Sequence, residues 1–234
     1  MRLPQKYRGK KVYVDTALWV AYVGRGVNDE LQQVLKNELT LGSRRDIVDL
    51  FEQKWFKMAQ KNNIKFAIPV TVVGETISKL ITLSETAERR IRNNKRGAGR
   101  RLKESLPWTR NSIQQEFVHS LINRIFSNGA GRFEIVDWGG PEKTTGINFE
   151  LFTEILHILK CGSLRSNYAD RIILATSAAD SEAIGLITTD RKLEGDISID
   201  ERVEREINGK RNEHGIPFEF VVGETLEDVI RRFS

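Results

Sequence analysis

The chain has 234 residues, 39% of them hydrophobic, enough for one large domain with a proper core and too apolar for a disordered protein. One cysteine, Cys161, rules out an internal disulfide, and His119, His157 and His214 are too scattered for a zinc site. No apolar stretch reaches the roughly 18 residues of a membrane span and the basic start carries no signal-like hydrophobic region, so the sequence predicts a soluble, cytoplasmic protein with no membrane contact.

In chain order, Lys11-Val12-Tyr13-Val14 reads as a strand ending at Asp15, and Thr16 to Val23 as the helix that follows. An amphipathic helix is expected over 43–62, with Ile47, Leu50, Phe51, Trp55 and Met58 at three- and four-residue steps. Residues 66–70 form a second apolar strand, and Thr71 is a suitable N-cap for a helix carrying Glu75. A helix over 111–126, a strand over 133–136 and helices over 148–160 and 168–179 come next, the last with Asp170 near its start; His157 within the helix before it and Cys161 just after that helix are read as core residues. Residues 185–189 make a fourth strand with Asp190 at its end. A polar, charge-rich stretch over 196–215 then precedes a fifth strand over 218–222 and a terminal helix from Thr225. Short apolar strands alternating with helices predict an α/β fold on a central parallel sheet of about five strands, in a single domain over 1–234.

The net charge of +5 is unevenly spread. Arg89, Arg90, Arg92, Lys95, Arg96, Arg100, Arg101 and Lys103 stand in one acid-free run, and without these eight, 29 basic side chains face 32 acidic ones. Such a block is either a solvated surface or a patch for nucleic-acid phosphates. It falls within a helical insertion expected around 84–130.

In an open parallel sheet, ligands bind at the carboxyl ends of the strands. Asp15 and Asp190 follow strands directly, and Glu75 and Asp170 lie in the first turns of helices, so all four acids can meet at that edge. Each alone is explained as a helix cap or a partner of the helix dipole. Four together would repel one another, a cost that hard cations such as Mg²⁺ or Mn²⁺, which prefer oxygen ligands, remove.

Four segments carry a resemblance: Val12-Tyr13-Val14-Asp15-Thr16, Pro69-Val70-Thr71-Val72-Val73-Gly74-Glu75, Tyr168-Ala169-Asp170-Arg171-Ile172-Ile173-Leu174-Ala175-Thr176 and Leu186-Ile187-Thr188-Thr189-Asp190-Arg191-Lys192-Leu193. In this order they resemble the acidic motifs of PIN domains. The resemblance implies a PIN-like three-layer α/β/α domain and an endonuclease, acting on RNA more often than DNA, with Mg²⁺ or Mn²⁺ held by Asp15, Glu75, Asp170 and Asp190. It also implies supporting roles for the hydroxyl residues Thr16 and Thr189 beside the acids. The chain is longer than the compact toxin members of that family, through extra residues between Asp15 and Glu75 and the basic insertion before Asp170. A homodimer and an antitoxin-like protein partner both stay open.

Other chemistries fit less well. A haloacid-dehalogenase-type phosphatase needs a second Asp two residues after the first, where this chain has Ala17, and no phosphate-binding glycine loop is present. The remaining rival is a catalytically inactive nucleic-acid-binding or scaffold protein of the same fold, which has little reason to keep four acids beside a polyanion.

Overall fold

The computed structural model describes residues 2–23, 49–75, 78, 133–136, 146–161, 168–189 and 201–234. Asp190, the basic run 89–103, the rest of the expected insertion over 84–130 and the expected helix over 111–126 lie outside them. Strands β1 (Lys11–Val14), β2 (Lys65–Pro69), β3 (Phe133–Val136), β4 (Ala183–Ile187) and β5 (Val221–Gly223) form one sheet of order β3-β2-β1-β4-β5. Every pairing is parallel. β1 and β4 are buried at every residue, as expected of strands covered on both faces.

Side chains alternate between the two faces, and the register fixes which belong together. Val12 pairs with Phe66 and Phe66 with Phe133. On that side lie helices α1 (Thr16–Val23) and α2 (Phe56–Asn62), the latter entered through a π-helical turn at Phe51–Trp55. Trp19 meets Phe133 edge-on at 5.0 Å between ring centroids, and Phe51 meets Phe66 at 5.6 Å, within an aromatic cluster that also takes in Tyr22, Trp55 and Phe56. Helix α6 (Leu226–Arg232) packs beside them, where Trp55 Nε1 donates to Glu227 at 2.9 Å. Its close approach requires glycine at 185, since a Cβ there would stand 2.8 Å from the Val221 carbonyl oxygen and 2.9 Å from Val229 Cγ1.

The opposite face carries Lys11, Tyr13, Ala67 and Glu134; α4 (Tyr168–Ala179) packs against the strands, and α3 (Phe149–Cys161) and α5 (Glu201–Glu213) pack against α4 and each other. Helices on both faces are compatible with a three-layer α/β/α arrangement. Among the described residues no helix is long and apolar enough to cross a membrane.

Several expectations shift. The charge-rich stretch over 196–215 contains α5, a helix whose buried stripe is Val203, Ile207 and Arg211; with only two apolar members it leaves almost no hydrophobic period to read. His157 is exposed, because α3 turns Leu151, Phe152, Ile155 and Leu159 inward and position 157 outward. Helix begins at residue 70, so Thr71 lies inside it rather than capping it, with its Oγ1 buried and without a hydrogen-bond partner. The fifth strand is shorter than expected and starts at Val221. Of the 43–62 helix, residues 43–48 lie outside the described residues, as does the side chain of Cys161.

At the amino edge of the sheet a buried polar network ties β1 to the α4–β4 turn. The Asp180 carboxylate, fully buried, accepts from Tyr13 Oη at 2.6 Å, from Lys11 Nζ at 3.4 Å and from the Glu182 amide at 2.8 Å. Lys11 also pairs with Glu134 at 2.8 Å and Glu182 at 3.0 Å. Burial opposes the Lys11 charge, but the three carboxylates outweigh it and raise its pKa; burial and the Asp180 charge together raise that of Tyr13. Both groups hold their protons in the folded chain at pH values where the unfolded chain releases them. The stability contributed by these two held protons is therefore complete below the ordinary tyrosine value of 10.0 and declines as pH rises past it. Tyr13→Phe is expected to cost about 2 kcal/mol at neutral pH, by removing a hydrogen bond to a buried carboxylate. It should also flatten the decline above pH 10, read from urea melts across an alkaline series; a slope as steep as wild type would contradict it.

Candidate metal and nucleic-acid site

The chain builds β1, β2 and β3 outward in one direction, then returns to place β4 and β5 on the other side of β1. β1 and β4 are thus neighbours whose onward connections diverge, and the crevice beyond their carboxyl ends is where ligands bind in such sheets. The described part of the acidic set is disposed around this point.

Asp15 is the residue after β1 and is 5% exposed. Its Oδ1 accepts from the Leu18 amide at 2.9 Å, so it caps α1. Its Oδ2 accepts from the Thr189 amide at 3.2 Å and from the Thr188 hydroxyl, both just past β4. The Asp15 amide donates to the Ile187 carbonyl at 3.1 Å. One carboxylate therefore caps a helix and bridges the two strands of the switch point, and three donors fix its orientation.

Thr16, 4% exposed, donates its hydroxyl to Glu75 Oε2 at 2.7 Å. Glu75 is half-buried on the helical segment 70–75 that leaves β2. The ends of β1, β2 and β4 are in this way joined by side-chain hydrogen bonds through Asp15 and its neighbour. Asp170 is half-buried in the first turn of α4. That helix ends at Ala179, just ahead of the turn into β4, so it runs antiparallel to the strand. Its 12 residues span about 18 Å, close to the rise of a five-residue strand, which brings Asp170 level with the carboxyl edge.

Asp15, Glu75 and Asp170 thus share one edge, while Asp190, the residue after Thr189, is outside the described residues. Among the described residues no group of three or more His, Cys, Asp or Glu is arranged to hold a metal ion. The acids nevertheless offer only oxygen donors, which suits Mg²⁺ or Mn²⁺ over softer metals. The firm hold on Asp15 is the kind of outer support that orients metal-ligating carboxylates. Of the two hydroxyl residues singled out in the sequence, Thr16 contacts an acid through its side chain and Thr189 through its backbone. Thr188 was missed, yet its signal was present: Tyr13 pairs with Leu186, so two residues further on Asp15 and Thr188 fall on the same face. No family model matches the chain, and neither a curated protein nor a solved structure matches it.

Proposed function

We propose that the chain is a PIN-like, metal-dependent endonuclease that hydrolyses phosphodiesters of single-stranded or structured RNA. The observation that carries this reading is the bridged Asp15 at the switch point, tied to Thr188 and Thr189 on one side and, through Thr16, next to Glu75 on the other. In this reading Asp15, Glu75, Asp170 and Asp190 hold Mg²⁺ or Mn²⁺, which supplies positive charge for the scissile phosphate and makes a water more acidic. Asp15 keeps one orientation throughout because its donors are backbone amides and a buried hydroxyl. Glu75, steadied by Thr16, orients the attacking water or helps hold the ion. The 2′-hydroxyl is not required by such chemistry, so DNA is a competing substrate for the assay. Incubating the pure protein with labelled single-stranded RNA and DNA in Mg²⁺, Mn²⁺ or chelator tests the reading. Cleavage that appears with metal and vanishes with chelator is expected; no cleavage under any condition would refute it.

One observation favours a second reading, an inactive nucleic-acid-binding or scaffold protein of the same fold. Asp15 has a structural task in capping α1, which alone would account for an acid at that position.

Where nucleic acid is bound, the basic run is assigned the phosphate contacts. Changing Arg89, Arg90, Arg92, Lys95, Arg96, Arg100, Arg101 and Lys103 to Gln is expected to flatten the salt dependence of RNA binding by about 0.7 log units per lost phosphate contact. Fluorescence anisotropy across a salt series measures this, and an unchanged slope would assign the run to a solvated surface.

A further inference from the structure

Large apolar side chains exposed among the described residues are few: Val70, Ile135, Phe149 and Tyr168. Tyr168 is the most exposed of them at 69%, whereas Tyr7 and Tyr13 are buried and Tyr22 is packed among aromatic rings. Phe149 opens α3 at the opposite end of the sheet, since Ile147 bridges to Asp180 at the amino edge. Tyr168 instead opens α4 at the carboxyl edge, two residues before Asp170. Side chains on a helix lean toward its amino end, so a ring on the first residue extends past the helix terminus and out over that edge. Residues two apart on a helix do not face each other, so the ring stands to one side of Asp170 rather than over it.

We infer that Tyr168 is a stacking platform for an unpaired nucleobase flanking the scissile phosphate, and so a determinant of preference for single-stranded substrate. The inference rests on the nucleic-acid reading above and deepens it. An exposed phenol ring contributes little to folding, but its face stacks on any base, and the affinity from such a contact is tolerant of sequence. A base reaches the ring only when unpaired, so duplex gains nothing from it.

The test compares wild type, Tyr168→Ala and Tyr168→Phe by fluorescence anisotropy. The probe is a short labelled single-stranded RNA with Ca²⁺ in place of Mg²⁺, intact or with an abasic site at each position in turn. Tyr168→Ala should bind about tenfold more weakly, Tyr168→Phe should bind like wild type, and all three should melt together. One abasic position should cost wild type a similar factor and cost Tyr168→Ala nothing further, the coupling expected of direct contact. Wild-type affinity in Tyr168→Ala, or abasic penalties equal in both proteins, would overturn the inference while leaving Mn²⁺-stimulated cleavage to stand. A Tyr168-dependent abasic penalty in a protein that cuts nothing would uphold the platform and overturn the nuclease.

Discussion

Asp15→Asn is expected to lower single-turnover cleavage in Mn²⁺ by a hundredfold or more, equivalent to about 2.7 kcal/mol of transition-state stabilisation. Asparagine is as good an N-cap as aspartate, so the bond from the Leu18 amide survives and α1 remains capped. Its single carbonyl oxygen cannot serve Leu18, Thr188 and Thr189 as two carboxylate oxygens do, which predicts a stability loss of about 1 kcal/mol. The disproportion between a small melting shift and a large rate loss separates a metal ligand from a helix cap. Binding of RNA in chelator should be unchanged or tighter, because a negative charge that repels phosphate has gone. A variant that melts lower but cuts near the wild-type rate would reduce Asp15 to its capping role.

The largest effect on stability is expected at Arg211. Its side chain is fully buried and donates to the carbonyls of Ala178, of Asp180 at 3.2 Å, of Ala183 at 2.6 Å and of Phe218 at 3.2 Å. Through these bonds it ties the last turn of α4, the turn into β4 and the segment before β5 together, and the Asp180 carbonyl also accepts from the Ala183 amide at 3.1 Å. Burial pulls the guanidinium pKa down to about 10, with the Asp180 charge opposing, so the group stays ionised at neutral pH. Arg211→Met keeps much of the buried stem but removes these buried hydrogen bonds and leaves the Asp180 charge less compensated, at a cost of about 3–5 kcal/mol. For a chain of this size that lowers Tm by about 10 °C or more. A shift equivalent to under 1 kcal/mol would show that water replaces the guanidinium at little cost.

What the sequence disclosed follows from how strongly each signal is repeated along the chain. β1 and β4 were legible because strands covered on both faces are nearly continuous apolar runs, broken in β1 only by Lys11 at its start, and the placement of Asp15 and Asp170 beside elements of the carboxyl edge follows from strand and helix ends alone. The element least legible was α5, where a buried arginine occupies the third position of the inward stripe and hides the period. The polar network at the amino edge was equally opaque. Lys11, Asp180 and Arg211 are distant in sequence and look like surface residues until the fold brings them together, with no local pattern to announce a buried cluster. His157 was misjudged because apolar neighbours in sequence are not neighbours on a helix face. Thr188 shows the converse, a contact recoverable from strand alternation once β1 and β4 are known to be adjacent.

Asp15, Glu75, Asp170 and Asp190 are proposed to act together as one metal-holding set at the switch point between β1 and β4. Single-turnover cleavage in Mn²⁺ and thermal melting, measured on Asp15→Asn, Glu75→Gln, Asp170→Asn and Asp190→Asn, decide this. All four are expected to lose a hundredfold or more in rate while their melts stay within a few degrees of wild type. Near-wild-type cutting by most of the four would contradict it, whatever the melts show.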